Sequence, residues 1–119
     1  MRMWMVDPKI MCQKHLCGEH LELHMFLSHI KAGKKVDGYL KNNCLEPRMI
    51  WKRHCDIESE MLKRSYNPKT PIYGHDCLCI LDLATEQQYW EINKEKSLND
   101  LLERCPRCRE RFREQNNET

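Results

Sequence analysis

Apolar residues in this chain recur at spacings of three, four and seven, and strict alternation is rare. That periodicity marks the buried face of an amphipathic helix rather than a half-buried strand. Leu16, Leu23, Leu27 and Ile30 make one such stripe, and Ile50, His54, Ile57 and Met61 make a second. Gly and Pro number only 4 and 5 in 119 residues, so turns are few. The expectation is an all-α chain: a compact single-domain bundle of about three main helices over residues 1–119.

Local signals set the expected boundaries. Asp7 and Pro8 open the first helix as N-cap and first-turn residue, and Ala32-Gly33 closes it just past Ile30. Gly18 inside it is unfavourable by about 1 kcal/mol against Ala, which suggests a close approach by another backbone. GKKVDGYLKNN reads as a loop. A second helix runs from near Pro47 to about Arg64, with Trp51 and Leu62 joining its apolar face, and SYNPKTP ends it. Residues 72–96 carry no clear period, and Cys77 to Leu83 fits either a short strand or a helical turn. Ser97 and Asp100 stand at capping-box spacing and open a third helix carrying Leu98, Leu101, Leu102, Cys105 and Phe112. Pro106 kinks or stops it, and the terminal EQNNET frays.

With 40% hydrophobic and 32% charged residues, the composition is that of a folded globular chain, not a disordered one. No apolar run approaches the roughly 20 residues of a membrane span. The start MRMWMVDPKIM lacks the apolar core of an export signal, so an intracellular, reducing setting is expected. Eight cysteines in that setting read as thiols or metal ligands. Charge is uneven. Residues 1–72 hold 13 Lys and Arg against 8 Asp and Glu, and residues 73–119 hold 7 against 10. The first part suits a polyanion, although a net +5 also fits an ordinary solvated surface.

Four constellations carry chemistry. His15, Glu19 and Glu22 share one helix face, where neighbouring carboxylates favour acid–base work or form a solvated acidic face. His20 and His24, four residues apart, form a metal pair or a satisfied surface pair. Cys77-x-Cys79 with Cys105-x-x-Cys108 supplies four thiolates for a structural zinc, against a reading as incidental buried thiols. The fourth is the chain terminus. α-Amines titrate near about pH 8, well below lysine, so more of the amine is a free nucleophile at neutral pH. Arg2 is bulky, and Met1 is therefore expected to remain in place.

The MRMW start, HLCGEHLELHMF at 15–26, GKKV at 33–36 and LKRSYNPKTP at 62–71 resemble the pyrimidine-dimer DNA glycosylases of the phage endonuclease V type. The resemblance covers residues 1–71, leaving 72–119 as a variable segment with a C-terminal helix. It implies an all-α fold, base excision coupled to AP lyase cleavage, and a Schiff base on the N-terminal amine. By position, Met1 supplies the amine and Glu22 the catalytic glutamate. Arg2, His15, Lys34 and Lys35 are the implied DNA-binding residues. The implied partner is double-stranded DNA with damaged or abasic sites, met by a monomer with no membrane, in a DNA-associated, phage- or virus-type setting. No cofactor is required, and a structural zinc is a separate option.

Two positions depart from the resemblance. Leu21 and Met25 stand where well-known members carry basic side chains beside the lesion, and the aromatic, basic tail is missing. Arg104, Arg107, Arg109, Arg111 and Arg113 either replace that tail or form a solvated helix face. The alternative is a non-enzymatic, zinc-stabilised DNA-binding or virion-associated module on the same scaffold.

Overall fold

A computed structural model describes residues 1–117. The longest element, α1 (Gln13–Lys31), buries Leu16, Leu23, Leu27 and Ile30 as its spacing requires. Short α2 (Asp37–Lys41) follows, then α3 (Ile50–Lys63), α4 (Thr85–Gln88), α5 (Lys94–Arg104) and α6 (Pro106–Asn117). Single 3-10 segments lie at Pro8–Ile10, Pro47–Met49 and Gly74–Asp82. No strand occurs among the described residues, and no helix there is long and apolar enough to cross a membrane.

α1 packs against α3 and against the 3-10 segment Gly74–Asp82. α5 and α6 form a second pair, and α6 rests on the 3-10 turn Pro8–Ile10. The chain start is threaded between these layers. Met3, Trp4 and Val6 are buried. The Met3 amide donates to Cys44 O at 2.7 Å, and the Ser97 hydroxyl donates to Trp4 O. Loop 42–46 is tied in turn to the entrance of α5. Asn43 and Asn93 exchange two hydrogen bonds of 3.0 and 2.7 Å, and buried Glu46 accepts from the Ile92 amide at 2.8 Å. The first residues are therefore fixed in space rather than frayed.

Several local expectations change. Asp7 and Pro8 cap the short 3-10 turn, and α1 begins only at Gln13 after Cys12. Gly18 meets no atom within 4 Å of an added Cβ, so no backbone approaches it. The supposed loop contains α2, because Val36 and Leu40 bury one face. Trp51 and Leu62 are exposed, while Ile50, His54, Ile57 and Met61 are buried as read. α5 starts at Lys94 with Asn93 as its cap, whose side chain accepts from the Lys96 amide. Ser97 already lies inside the helix and is spent on Trp4. Pro106 does stop the helix, and α6 restarts at once from it. The third predicted helix is thus two. Residues 114–117 belong to α6 rather than a frayed end, and the last two positions of EQNNET lie outside the described residues.

Candidate active site

One face of α1 decides the site. Lys14, His15, Gly18 and Glu22 follow one another on the same face and line a cavity of about 680 Å³. Met1, Arg2 and Trp4 form its second wall, Asn42 and Cys44 a third, and Lys96, Asp100 and Arg104 a fourth. The last three repeat every four residues, one face of α5. Gly18 adds no side chain to this stretch of the lining.

The carboxylate of Glu22 accepts the Arg2 backbone N–H at 2.9 Å. One residue of backbone separates that amide from the terminal nitrogen, a reach of no more than about 4 Å. Met1 and Glu22 thus meet in the cavity. The Arg2 side chain is already engaged: it pairs with Asp100 at 3.0 Å and lies 4.1 Å over the Trp4 ring. The guanidinium and the Lys96 ammonium hold the Asp100 carboxyl below the usual carboxylate range. Arg2 is therefore part of the wall. The exposed cations at the rim are Lys14, Lys96 and Arg104, none singled out by the sequence alone as a cavity residue, although the 96-100-104 spacing carried the signal.

The other expected residues separate. Glu19 is buried and makes a two-point ion pair with Arg53, Nε to Oε2 at 2.6 Å and Nη2 to Oε1 at 3.0 Å. It borders the same cavity as Glu22, but its carboxylate is spent on Arg53 rather than forming a solvated acidic face. The Arg53 guanidinium also donates to Val6 O at 2.6 Å, so this pair ties α1, α3 and the chain start together. Lys34 and Lys35 are exposed beyond the end of α1, beside a different depression that shares no residue with the main cavity. Leu21 and Met25 are exposed on α1, 61% and 40%, so no basic group flanks Glu22 from those positions. Of the tail arginines, Arg109 and Arg111 donate to backbone carbonyls of Leu102, Glu103 and Lys9, and Arg104 alone lines the cavity.

The metal-type residues regroup as well. Cys105 and Cys108 lie not with Cys77 and Cys79 but with Cys12 and His15, and these four ligand atoms lie within 4.8 Å of one another. Cys77 and Cys79 sit on the 3-10 segment packed on α1 and α3, away from the α5–α6 corner. The missed signal was a second short pair, Cys12-x-x-His15, matching Cys105-x-x-Cys108. His15 lines the cavity, and its Nδ1 lies 3.2 Å from Cys12 Sγ.

His20 and His24 are joined by His54 of α3. Nε2 of His54 lies 3.2 Å from Nε2 of His24, and Nδ1 lies 3.2 Å from Glu58 Oε1. Burial pushes the His54 imidazole down to about 4; Glu58 opposes this, and His20 and His24 add to it. An unfolded histidine titrates near about 6.5. Between those values the unfolded chain binds more protons, so stability rises with pH through this window and is lost as pH falls from about 6.5 toward 4. Acidification from pH 7 to 4.5 is expected to remove about 2–3 kcal/mol in urea unfolding through His54. His54→Asn should flatten that slope, and an unchanged slope would assign it to other groups.

Compared with known families, residues 1–74 match the one described as pyrimidine dimer DNA glycosylase. Neither a curated protein nor a solved structure gives a match.

Proposed function

Because this chain belongs to the pyrimidine dimer DNA glycosylase family, we propose that it excises damaged pyrimidines and then cuts the strand as an AP lyase, using the Met1 α-amine and Glu22. The observation that carries this reading is the 2.9 Å hydrogen bond from the Arg2 amide to Glu22, which sets the first residue against a carboxylate inside the cavity of about 680 Å³.

The amine lone pair forms a bond to C1′ as the bond from C1′ to the base breaks, and the base leaves with that electron pair and a proton. Loss of a proton from the nitrogen and opening of the sugar ring, with a proton delivered to O4′, give an imine between Met1 and the sugar. Glu22 stabilises the developing positive charge on sugar and nitrogen through its carboxylate. The same group takes a proton from C2′, the C3′–O bond breaks, and the 3′ phosphate leaves. Water then hydrolyses the imine and frees the amine. No metal takes part in these steps.

The cavity must receive a nucleotide turned out of the stack, at a cost of a few kcal/mol that is least at a lesion. Lys14, Lys96 and Arg104 rim the opening and supply phosphate contacts, with Lys34 and Lys35 as outlying cations. Such binding weakens with added salt. Leu21 and Met25 put apolar surface beside Glu22, favouring packing against unstacked bases over charge pairing.

Borohydride reduction on abasic-site DNA tests the reading by fixing the imine. Wild-type protein should give one covalent adduct. Glu22→Gln should lower strand cleavage by about 10²–10⁴ while leaving abasic-DNA affinity within a few-fold. Cleavage surviving Glu22→Gln would overturn the assignment. No adduct from well-folded protein would favour the binding-module alternative.

A further inference from the structure

We propose that Cys12, His15, Cys105 and Cys108 bind one zinc ion that fastens the corner between α5 and α6 onto the start of α1. The proposal does not rest on the glycosylase reading. Three thiols and one imidazole are a donor set of structural zinc. A tetrahedral ion with bonds of about 2.0–2.3 Å places its ligand atoms about 3.3–3.8 Å apart. Here Cys12 Sγ lies 3.2 Å from His15 Nδ1 and 3.8 Å from Cys105 Sγ, and Cys108 Sγ lies 3.8 Å from His15 Nδ1.

Backbone amides reach two of the three buried sulfurs. Cys12, Cys105 and Cys108 are all buried. The Cys12 amide donates to Cys108 Sγ at 3.2 Å, and the Cys108 amide donates to Cys105 Sγ at 3.4 Å. Such donors offset thiolate charge around a bound cation. Cys12 is the N-cap of the 19-residue α1, and Cys105 directly precedes the 12-residue α6, so two helix N-termini add positive potential. Each pair has two intervening residues across a helix start, which lets both donors of a pair turn to one point.

The ion would bridge segments 93 residues apart in the chain, outside and inside the family match. It would also hold the His15 ring, which lies edge-on to Trp4 at 5.7 Å, and Trp4 in turn lies under Arg2. The site is therefore a staple built into the cavity wall through His15 and not a reacting centre.

Protein purified under reducing conditions without chelator should hold about one zinc per chain, and X-ray absorption should show three sulfurs and one nitrogen. Chelation should lower the melting temperature. Cys108→Ser should lose the metal, whereas Cys77→Ser and Cys79→Ser should keep it. If Cys108→Ser does not fold, His15→Cys serves: it should retain zinc with a shell of four sulfurs. Less than about a tenth of a zinc per chain, loss of zinc from the Cys77 or Cys79 variants, an unchanged shell in His15→Cys, or a Cys12–Cys105 disulfide would each overturn the proposal.

Discussion

Acetylating the N-terminus, or extending it by a few residues, is expected to reduce borohydride trapping and strand cleavage to background while leaving the melting temperature nearly unchanged. Acetylation converts the amine to an amide whose lone pair is delocalised, so it removes the nucleophile without removing side-chain contacts. Extension acts by distance. Residues 2, 3 and 4 are pinned by the Arg2 amide to Glu22, the Met3 amide to Cys44 O and Trp4 O to Ser97. Each added residue carries the new amine as much as about 3.3–3.6 Å along the chain from the carboxylate. A C-terminal tag, attached beyond α6 and outside the cavity lining, should be harmless. The adduct peptide should begin at residue 1 by mass spectrometry. The informative competitors are Lys14 and Lys96, which line the same cavity. An adduct on either, surviving acetylation of the terminus, would move the chemistry to a lysine and overturn the N-terminal mechanism.

How far the sequence reaches differs element by element. The stripe of α1 and the face of α3 were legible because each buries a single helical row against the other. The 3-10 segment Gly74–Asp82 was not, because only Ile80 in it is buried and nothing imposes a period. The chain start was opaque for a different reason. Met3, Trp4 and Val6 are core without belonging to any helix, and their partners come from residues near 44, 53 and 97. The same holds for the site. Glu22 could be placed from its spacing to His15, since both lie on one helix. The α5 side of the cavity and the regrouping of Cys105 and Cys108 depend on how the α5–α6 pair docks, which no local pattern encodes.

Glu19→Ala is expected to destabilise the fold by about 3–5 kcal/mol, the largest stability effect of any α1 carboxylate change, because it leaves Arg53 charged and buried with no counter-ion. The loss exceeds the worth of the pair itself, since much of it is the penalty on the stranded guanidinium. Three consequences separate it from Glu22. First, Glu22→Gln should change stability by less than about 1 kcal/mol, because an amide oxygen can still accept the Arg2 N–H and the residue is only half-buried. Second, Glu19→Leu combined with Arg53→Met should recover much of the loss, since removing both charges leaves no orphan. Third, any Glu19→Gln protein that folds should still cleave abasic DNA, as that carboxylate faces Arg53 and not the terminal residue. Urea unfolding of the single and double variants measures the first two, and a cleavage assay on the folded fraction measures the third. A Glu19→Ala loss below about 1 kcal/mol, or equal losses of cleavage from Glu19→Gln and Glu22→Gln, would mean that the two carboxylates share one role. Three residues apart on one helix, they are set to different work by which neighbour reaches each first: a guanidinium from α3 for Glu19, and the backbone of the first residues for Glu22.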